Sequence, residues 1–197
     1  MAIEIIDATD PDVREAVFRF RYDIYVREMR RRQKDADHDR GRVEDALDRT
    51  AVLLAARDRA TGRIVGTARA NVAGDADLGV YERLYGLDTL NAAERGATSI
   101  TTRFMVERER RGTLLAVQLA RALFARGVDK GVRTDFIDCN EPLVPFFERL
   151  GYQPVRTVEH PEYGIVRLMR LEIARPNYLG RAGAGSSCEQ ARQAGAA

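Results

Sequence analysis

Residues 101–123, TTRFMVERERRGTLLAVQLARAL, run from a strand pattern into a helix pattern through a glycine turn at Gly112. A helix starting there presents unpaired backbone N–H groups and the positive end of its dipole, which together suit a phosphate. Arg108, Arg110 and Arg111 add positive charge at the same place, and Thr113 is a suitable cap. Many strand-loop-helix junctions look like this, and arginines on a turn are commonly just solvated. Arg21 is the next chemical residue. It flanks an apolar helical stripe beside Tyr25 and Glu28, and an arginine so near a core needs a partner. An ordinary ion pair meets that need. His38 and His160 titrate near neutral pH by type, but a lone histidine is more often structural. Cys139 ends an apolar strand and reads as a small buried side chain rather than a nucleophile.

These residues sit in a chain of 197, enough for one well-packed domain. With 45% hydrophobic and 31% charged residues, the composition excludes a collagen-like or wholly disordered polypeptide. The net charge of +2 comes from 32 basic and 30 acidic residues, too balanced for a protein that lives on nucleic acid by bulk electrostatics. Cys139 and Cys188 make no disulfide framework, and no CxxC pair suggests zinc. The opening MAIEIIDATD lacks the basic and apolar regions of a secretory signal. The longest apolar run, Ala51 to Ala56, falls far short of a membrane span. A cytoplasmic protein is expected.

A strand is predicted over 2–7, then a helix from Asp10-Pro11 with Val13, Ala16, Val17, Phe20 and Ile24 as its apolar stripe. Residues 30–48 form a polar segment with no periodicity, and so long a loop is usually functional or mobile. Residues 51–57 and 63–72 read as a hairpin. Residues 81–95 form a helix candidate broken near Gly86. In the strand 99–106, Ile100, Thr102, Phe104 and Val106 share one face, with Thr101, Arg103 and Met105 on the other. A helix follows from Thr113 to about 125, then a strand over 133–139. Asn140 is read as N-cap of a helix over 141–150 with Leu143, Phe146, Phe147 and Leu150 inward, ended by Gly151. Strands over 152–157 and 165–174 close the domain, taken as residues 1–175. The Gly/Ala/Ser/Gln composition of 176–197 predicts a disordered tail. Alternating strands and helices with a hairpin give an α/β fold of mixed strand direction.

The strand, glycine turn, Leu/Ala-rich helix, the strand RTDFIDC and the segment NEPLVPFFERLGY resemble the core of the GNAT acyltransferase superfamily. The resemblance implies a mostly antiparallel central sheet with flanking helices and splayed central strands. There the pantetheine arm of a thioester donor lies against the first splayed strand, here Phe104, Met105 and Val106. Its phosphate sits on the helix N-terminus, with Arg108, Arg110, Arg111, Gly112, Thr113 and Asn140 around the donor. The loop departs from the superfamily's Gln/Arg-x-x-Gly-x-Gly/Ala at Glu109 and Leu114, a poorer cradle for the pyrophosphate of coenzyme A. Phe147 stands where the superfamily's tyrosine acid is usual.

VFRFRYDIYVREM is similar to the opening helix of acyl-homoserine-lactone synthases and of the related long-chain N-acyl amino acid synthases, through Arg21 and Tyr25. Glu44-Asp45-Ala46-Leu47-Asp48 matches their Asp-x-x-Asp. Gly66-Thr67-Ala68-Arg69 matches their Gly-x-x-Arg, and Thr102-Arg103-Phe104 their Ser-Arg-Phe. His160-Pro161-Glu162-Tyr163-Gly164 resembles the amino acid synthase branch in particular. Ile100 stands where the lactone synthases carry a glutamate, which argues against lactone formation.

The resemblance implies transfer of a medium- or long-chain acyl group to an amine, such as an amino acid or peptide side chain. The donor is an acyl-phosphopantetheine thioester, on acyl-carrier protein or coenzyme A, with no prosthetic group and no metal. A single phosphate and an acidic carrier surface suit the arginine-rich turn. Asp45, Asp48 and Glu44, with Arg103, are then the catalytic candidates, one acid binding or deprotonating the amine; Arg21, Arg69 and Arg103 brace those carboxylates or bind an acceptor carboxylate, with Tyr25 on the acceptor side. The alternatives are an acetyl-coenzyme A-dependent acetyltransferase, an acyl-homoserine-lactone synthase and a non-catalytic module that binds acylated carrier. Oligomeric state is not legible.

Overall fold

The computed structural model describes residues 2–173, so the tail at 176–197 lies outside the described residues. β1 (Ile3–Asp7) leads to α1 (Pro11–Tyr22), where the Asp10 carboxylate accepts from the Asp12 and Val13 N–H groups. This is the capping start that Asp-Pro predicts. The helix then loosens into a π-helical turn, Asp23–Glu28, and Arg30 ends it with φ at +52°. That wider winding shifts Tyr25 and Glu28 out of the regular helical phase.

Residues 30–48, expected to be structureless, hold a small hairpin, β2 (Ala36–Asp37) with β3 (Arg42–Val43). A 3-10 turn, Ala46–Arg49, follows directly. β4 (Val52–Asp58) and β5 (Ile64–Val72) form the predicted hairpin. The helix expected over 81–95 is instead α2 (Val80–Tyr85), a 3-10 turn and α3 (Ala92–Gly96). Gly86, with φ at +76°, caps α2 in the left-handed region, which is where the winding stops.

β6 (Thr98–Val106), α4 (Leu114–Asp129) and β7 (Thr134–Cys139) make the next unit. α5 (Val144–Arg149) follows a 3-10 turn, and β8 (Gln153–His160) and β9 (Gly164–Glu172) close the sheet. The Asn140 side chain makes no cap bond, and Leu143, expected inward, is exposed.

The main sheet has seven strands in the order β1-β4-β5-β6-β7-β9-β8, antiparallel except between β6 and β7. α1 packs Val17, Phe18 and Phe20 on one face, against Leu53 and Ala55. α4 packs Leu119 and Leu123 on the other, against Leu54 and Ala68. Two irregularities position the site. β6 and β7 pair only from Thr98–Thr101 against Thr134–Ile137 and then diverge. On the other side of β6, Thr67 pairs with Met105 but Arg69 pairs with Thr102. Arg103 and Phe104 therefore face a single residue, a β-bulge with Arg103 at φ +53°. The bulge inverts the expected alternation. Met105 packs with the α1 cluster, Phe104 turns toward α4, and Thr102 and Arg103 share a face.

Candidate active site

Asp45 and Asp48 fold locally into a capping box on the 3-10 turn. Asp48 Oδ2 accepts the Asp45 N–H at 2.9 Å, and Asp45 Oδ1 accepts the Leu47 N–H at 3.0 Å. Both carboxylates then meet arginines from three other elements. Arg21 Nη1 donates to both oxygens of Asp48 at 2.9 Å, each side chain being wholly buried. Arg69 Nη1 bridges the acids, 2.5 Å from Asp45 Oδ1 and 3.2 Å from Asp48 Oδ1, while its Nε donates to Thr102 Oγ1. Arg103 Nη2 donates to Asp45 Oδ2 at 2.9 Å. A Cβ at Gly66 would sit 3.3 Å from the Met105 carbonyl oxygen, so the Gly-x-x-Arg strand has little room for a side chain there.

Three guanidiniums against two carboxylates leave one excess positive charge in this network. Burial alone would raise the Asp45 carboxyl, but Arg69 and Arg103 hold it at about 2. So weak a base is ill suited to take a proton at neutral pH. Asp48 is entirely enclosed, and Glu44 turns outward to Arg42 and stays outside the network. With the three arginines, the two aspartates form a buried electrostatic frame, and Glu44 lies outside it.

The rest of Arg103 faces a cleft. Its Nη1 donates to Gln33 Oε1 at 2.6 Å and lies 3.1 Å from the Tyr163 hydroxyl, and its guanidinium stands over the Tyr25 ring. Tyr25 in turn stacks on Tyr163, with ring centroids 6.2 Å apart. The cleft, about 800 Å³, opens between the diverging ends of β6 and β7, along Thr101–Val106 and Ile137–Asn140. Phe104, Phe146 and Phe147 wall it, and Met29, Leu114 and Leu143 lie at its rim, 42%, 72% and 48% exposed. Phe147 offers no hydroxyl, and the neighbouring Tyr152 hydroxyl is spent on buried Asp135 at 2.5 Å.

At the start of α4, Gly112 turns with φ at +76° and Thr113 Oγ1 accepts the Leu115 N–H. Of the three arginines named there, Arg111 lines the cleft and pairs with Glu28 at 2.6 Å. Arg108 is exposed, 3.7 Å from Glu28. Arg110 is tied to Asp58 and Glu107, both at 2.6 Å, so it is a structural clamp rather than mobile charge. Asn140 lines the cleft. Ile100 is wholly buried among Leu87 and Leu168, where no carboxylate would fit.

Sequence reasoning missed Gln33, Tyr81 and Asp138, named Tyr163 only within the His160–Gly164 motif, and set His160 aside. Tyr81, Asp138 and Tyr163 line the cleft. His160 lies behind them, stacked on Tyr163 at 4.4 Å between centroids. A charged residue inside the apolar strand TDFIDC was the available signal for Asp138. Nothing local marked Gln33, which reaches Arg103 from the polar segment. Among the described residues no cluster of His, Cys, Asp or Glu could hold a metal ion, and no helix is long and apolar enough to cross a membrane.

The profile of the family described as N-acyl amino acid synthase FeeM matches residues 16–172. No curated protein sequence matches. Among solved structures, the acyl-homoserine lactone synthase BjaI superposes with a TM-score of 0.70 at 24% identity, over 91% of this chain and 86% of that one. FeeM itself, an N-acyl amino acid synthase from uncultured soil microbes, gives 0.65 at 13% identity, over 87% and 91%. A putative N-acetyltransferase from Lactobacillus plantarum gives 0.62 at 18%, over 88% and 100%. At these identities the superpositions establish the GNAT-like fold.

Proposed function

Because the chain belongs to the N-acyl amino acid synthase FeeM family, and so is an acyltransferase, we propose that it carries medium- or long-chain fatty acyl groups from a carrier-protein or coenzyme A thioester to the amine of an amino acid, in the cytoplasm. The apolar rim carries this reading. Met29, Leu114 and Leu143 are large, solvent-facing and gathered at one cleft, an arrangement that suits a fatty chain and offers an acetyl group little.

Arg31 supports an acceptor that bears a carboxylate. It lines the cleft, sits over the Tyr163 ring at 5.1 Å, and has no carboxylate within ion-pair distance among the described residues. The excess charge of the Arg21/Asp45/Asp48/Arg69/Arg103 frame adds to that preference. Exposed Arg108 and half-exposed Arg111, at the α4 N-terminus, favour an acidic carrier over coenzyme A.

The test incubates the protein with decanoyl-carrier protein, decanoyl-coenzyme A or acetyl-coenzyme A, together with a pool of the protein amino acids and diamines. Mass spectrometry then reads the amides. Decanoyl amides of amino acids are expected, most from the carrier. Acetyl amides alone, or decanoyl transfer confined to diamines, would refute the reading.

A further inference from the structure

Three buried polar atoms on three different elements converge without a hydrogen-bond partner among the described residues: Tyr85 Oη on α2, Asp138 Oδ2 on β7 and His160 Nε2 on β8. Tyr85 and His160 are each 3% exposed. Unpaired groups of this kind are uncommon in folded proteins and call for a reason. His160 Nε2 lies 4.0 Å from Asp138 Oδ2, and Tyr85 stands beside the same carboxylate. Asp138 is the member of this group that lines the cleft. It occupies the first position of β7 after the pairing with β6 ends, where the two strands part.

From this geometry we infer that Asp138 is the proton acceptor for the attacking amine and that His160 is a positioning residue behind it. The inference rests on the amide-forming reading above and adds a proton acceptor to it, since Asp45 is held too weakly basic and Asp48 is wholly enclosed.

The tautomer assigns the roles. His160 Nδ1 accepts the Glu162 N–H at 3.1 Å, which puts the imidazole proton on Nε2, toward Asp138. Burial, and then the positive charges of Arg103, Lys34 and Arg31, pull His160 down to about 4, so the ring is neutral and holds no site for another proton. Burial pushes the Asp138 carboxyl up to about 6, with Tyr85 opposing, which makes it a carboxylate of useful basicity at neutral pH. The groups facing the pair are Tyr81 and Tyr85 from α2, Arg103 from β6, Cys139 from β7, and Glu162 and Tyr163 from the β8–β9 turn. Lys34 and Arg31 face it from the segment after the π turn. Both cleft tyrosines, Tyr81 and Tyr163, are raised by burial and stay protonated.

In the step, the neutral amine nitrogen bonds to the thioester carbon and the carbon–sulfur bond breaks. The proton shed by nitrogen passes to the Asp138 carboxylate, whose Oδ2 stays turned to His160, and from there to the departing thiolate or to solvent. The products are amide and free thiol.

The experiment measures kcat/KM against pH, expressed per neutral amine, with decanoyl-carrier protein and the amino acid giving most amide. Wild type should rise through a limb near pH 6 and then level off. Asp138→Asn should lose about 100-fold or more, lose the limb, and keep the thioester KM within about threefold and the melting temperature of wild type. His160→Phe keeps the carboxylate and the ring but removes the Nε2–H that faces it, so its limb should move to higher pH. A merely structural histidine would leave the limb in place, and that result would overturn its positioning role. Wild-type rate or a retained limb in Asp138→Asn would overturn the inference while the acyltransferase reading stands. A wild type that forms no amide would overturn both.

Discussion

Replacing Asp48 by asparagine removes the one carboxylate among the described residues that pairs with Arg21, at a place with no exposure to water on either side. Arg21 Nε and Nη2 already lack partners, so no second acceptor is in place to compensate. Burial pulls Arg21 down to about 10 against the opposing effect of Asp48, which still leaves it fully charged at neutral pH. Two unit charges about 4 Å apart attract by ~4 kcal/mol at an effective dielectric of ~20. Breaking one side of a buried pair typically costs about 3–5 kcal/mol, because the remaining charge stays unpaired. Against a total stability of about 5–15 kcal/mol, that is a large fraction. At about 2–4 °C per kcal/mol for a domain of this size, the melting temperature should fall by about 6–20 °C. Urea and thermal unfolding of wild type, Asp48→Asn and the double variant Arg21→Met/Asp48→Leu provide the assay. The double variant should recover most of the loss, since no orphan charge remains and Arg69 keeps Asp45. A melting point for Asp48→Asn within about 3 °C of wild type would refute the argument, because a buried guanidinium cannot lose its counter-charge so cheaply.

Charge reversal at Arg108 and Arg111 should raise KM for acyl-carrier protein at least tenfold and KM for a small pantetheine thioester much less, with the difference fading as salt rises. Equal losses on both donors would refute a carrier contact. Arg110→Glu should instead lower the melting temperature, since it would place a third carboxylate beside Asp58 and Glu107. Asp45 is held at about 2 in the folded protein against an ordinary 3.8. Its contribution of ~2 kcal/mol is therefore fully present above about pH 4 and lost as pH falls through 2. The stability gap between wild type and Asp45→Asn should close over that window in acid unfolding, and a gap independent of pH would count against the ion pairs. Leu143→Ser should weaken the preference for decanoyl over butyryl thioesters by ~1–2 kcal/mol, about tenfold in relative kcat/KM. An unchanged ratio would mean that the chain does not lie along that rim.

The acyltransferase core was legible because its signals are local. Asp10-Pro11 starts α1, Gly112-Thr113 starts α4, and Gly151 ends α5, each through backbone geometry set by one or two residues. The motifs around Arg21, Asp45, Asp48, Arg69 and Arg103 were equally readable as a set. What each does was not. Asp45 and Asp48 could bind or deprotonate an amine, and arginines bracing them were one expectation; how tightly three arginines from separate elements hold them was not legible. A carboxylate's basicity depends on the charges around it, and those charges arrive from across the fold.

The sequence alone thus determined the main-sheet strands with the long helices α1 and α4, the glycine turn before α4 and the family of the chain. Periodicity and short motifs encode these directly. Only the tertiary structure decided which way Arg103 points, because a one-residue bulge against β5 reverses the alternation of β6. It also decided that Arg110 is a clamp, and that Tyr163, Asp138 and His160 meet at the end of the cleft. Those outcomes depend on register, strand divergence and burial, which arise only when residues distant in the chain are packed together.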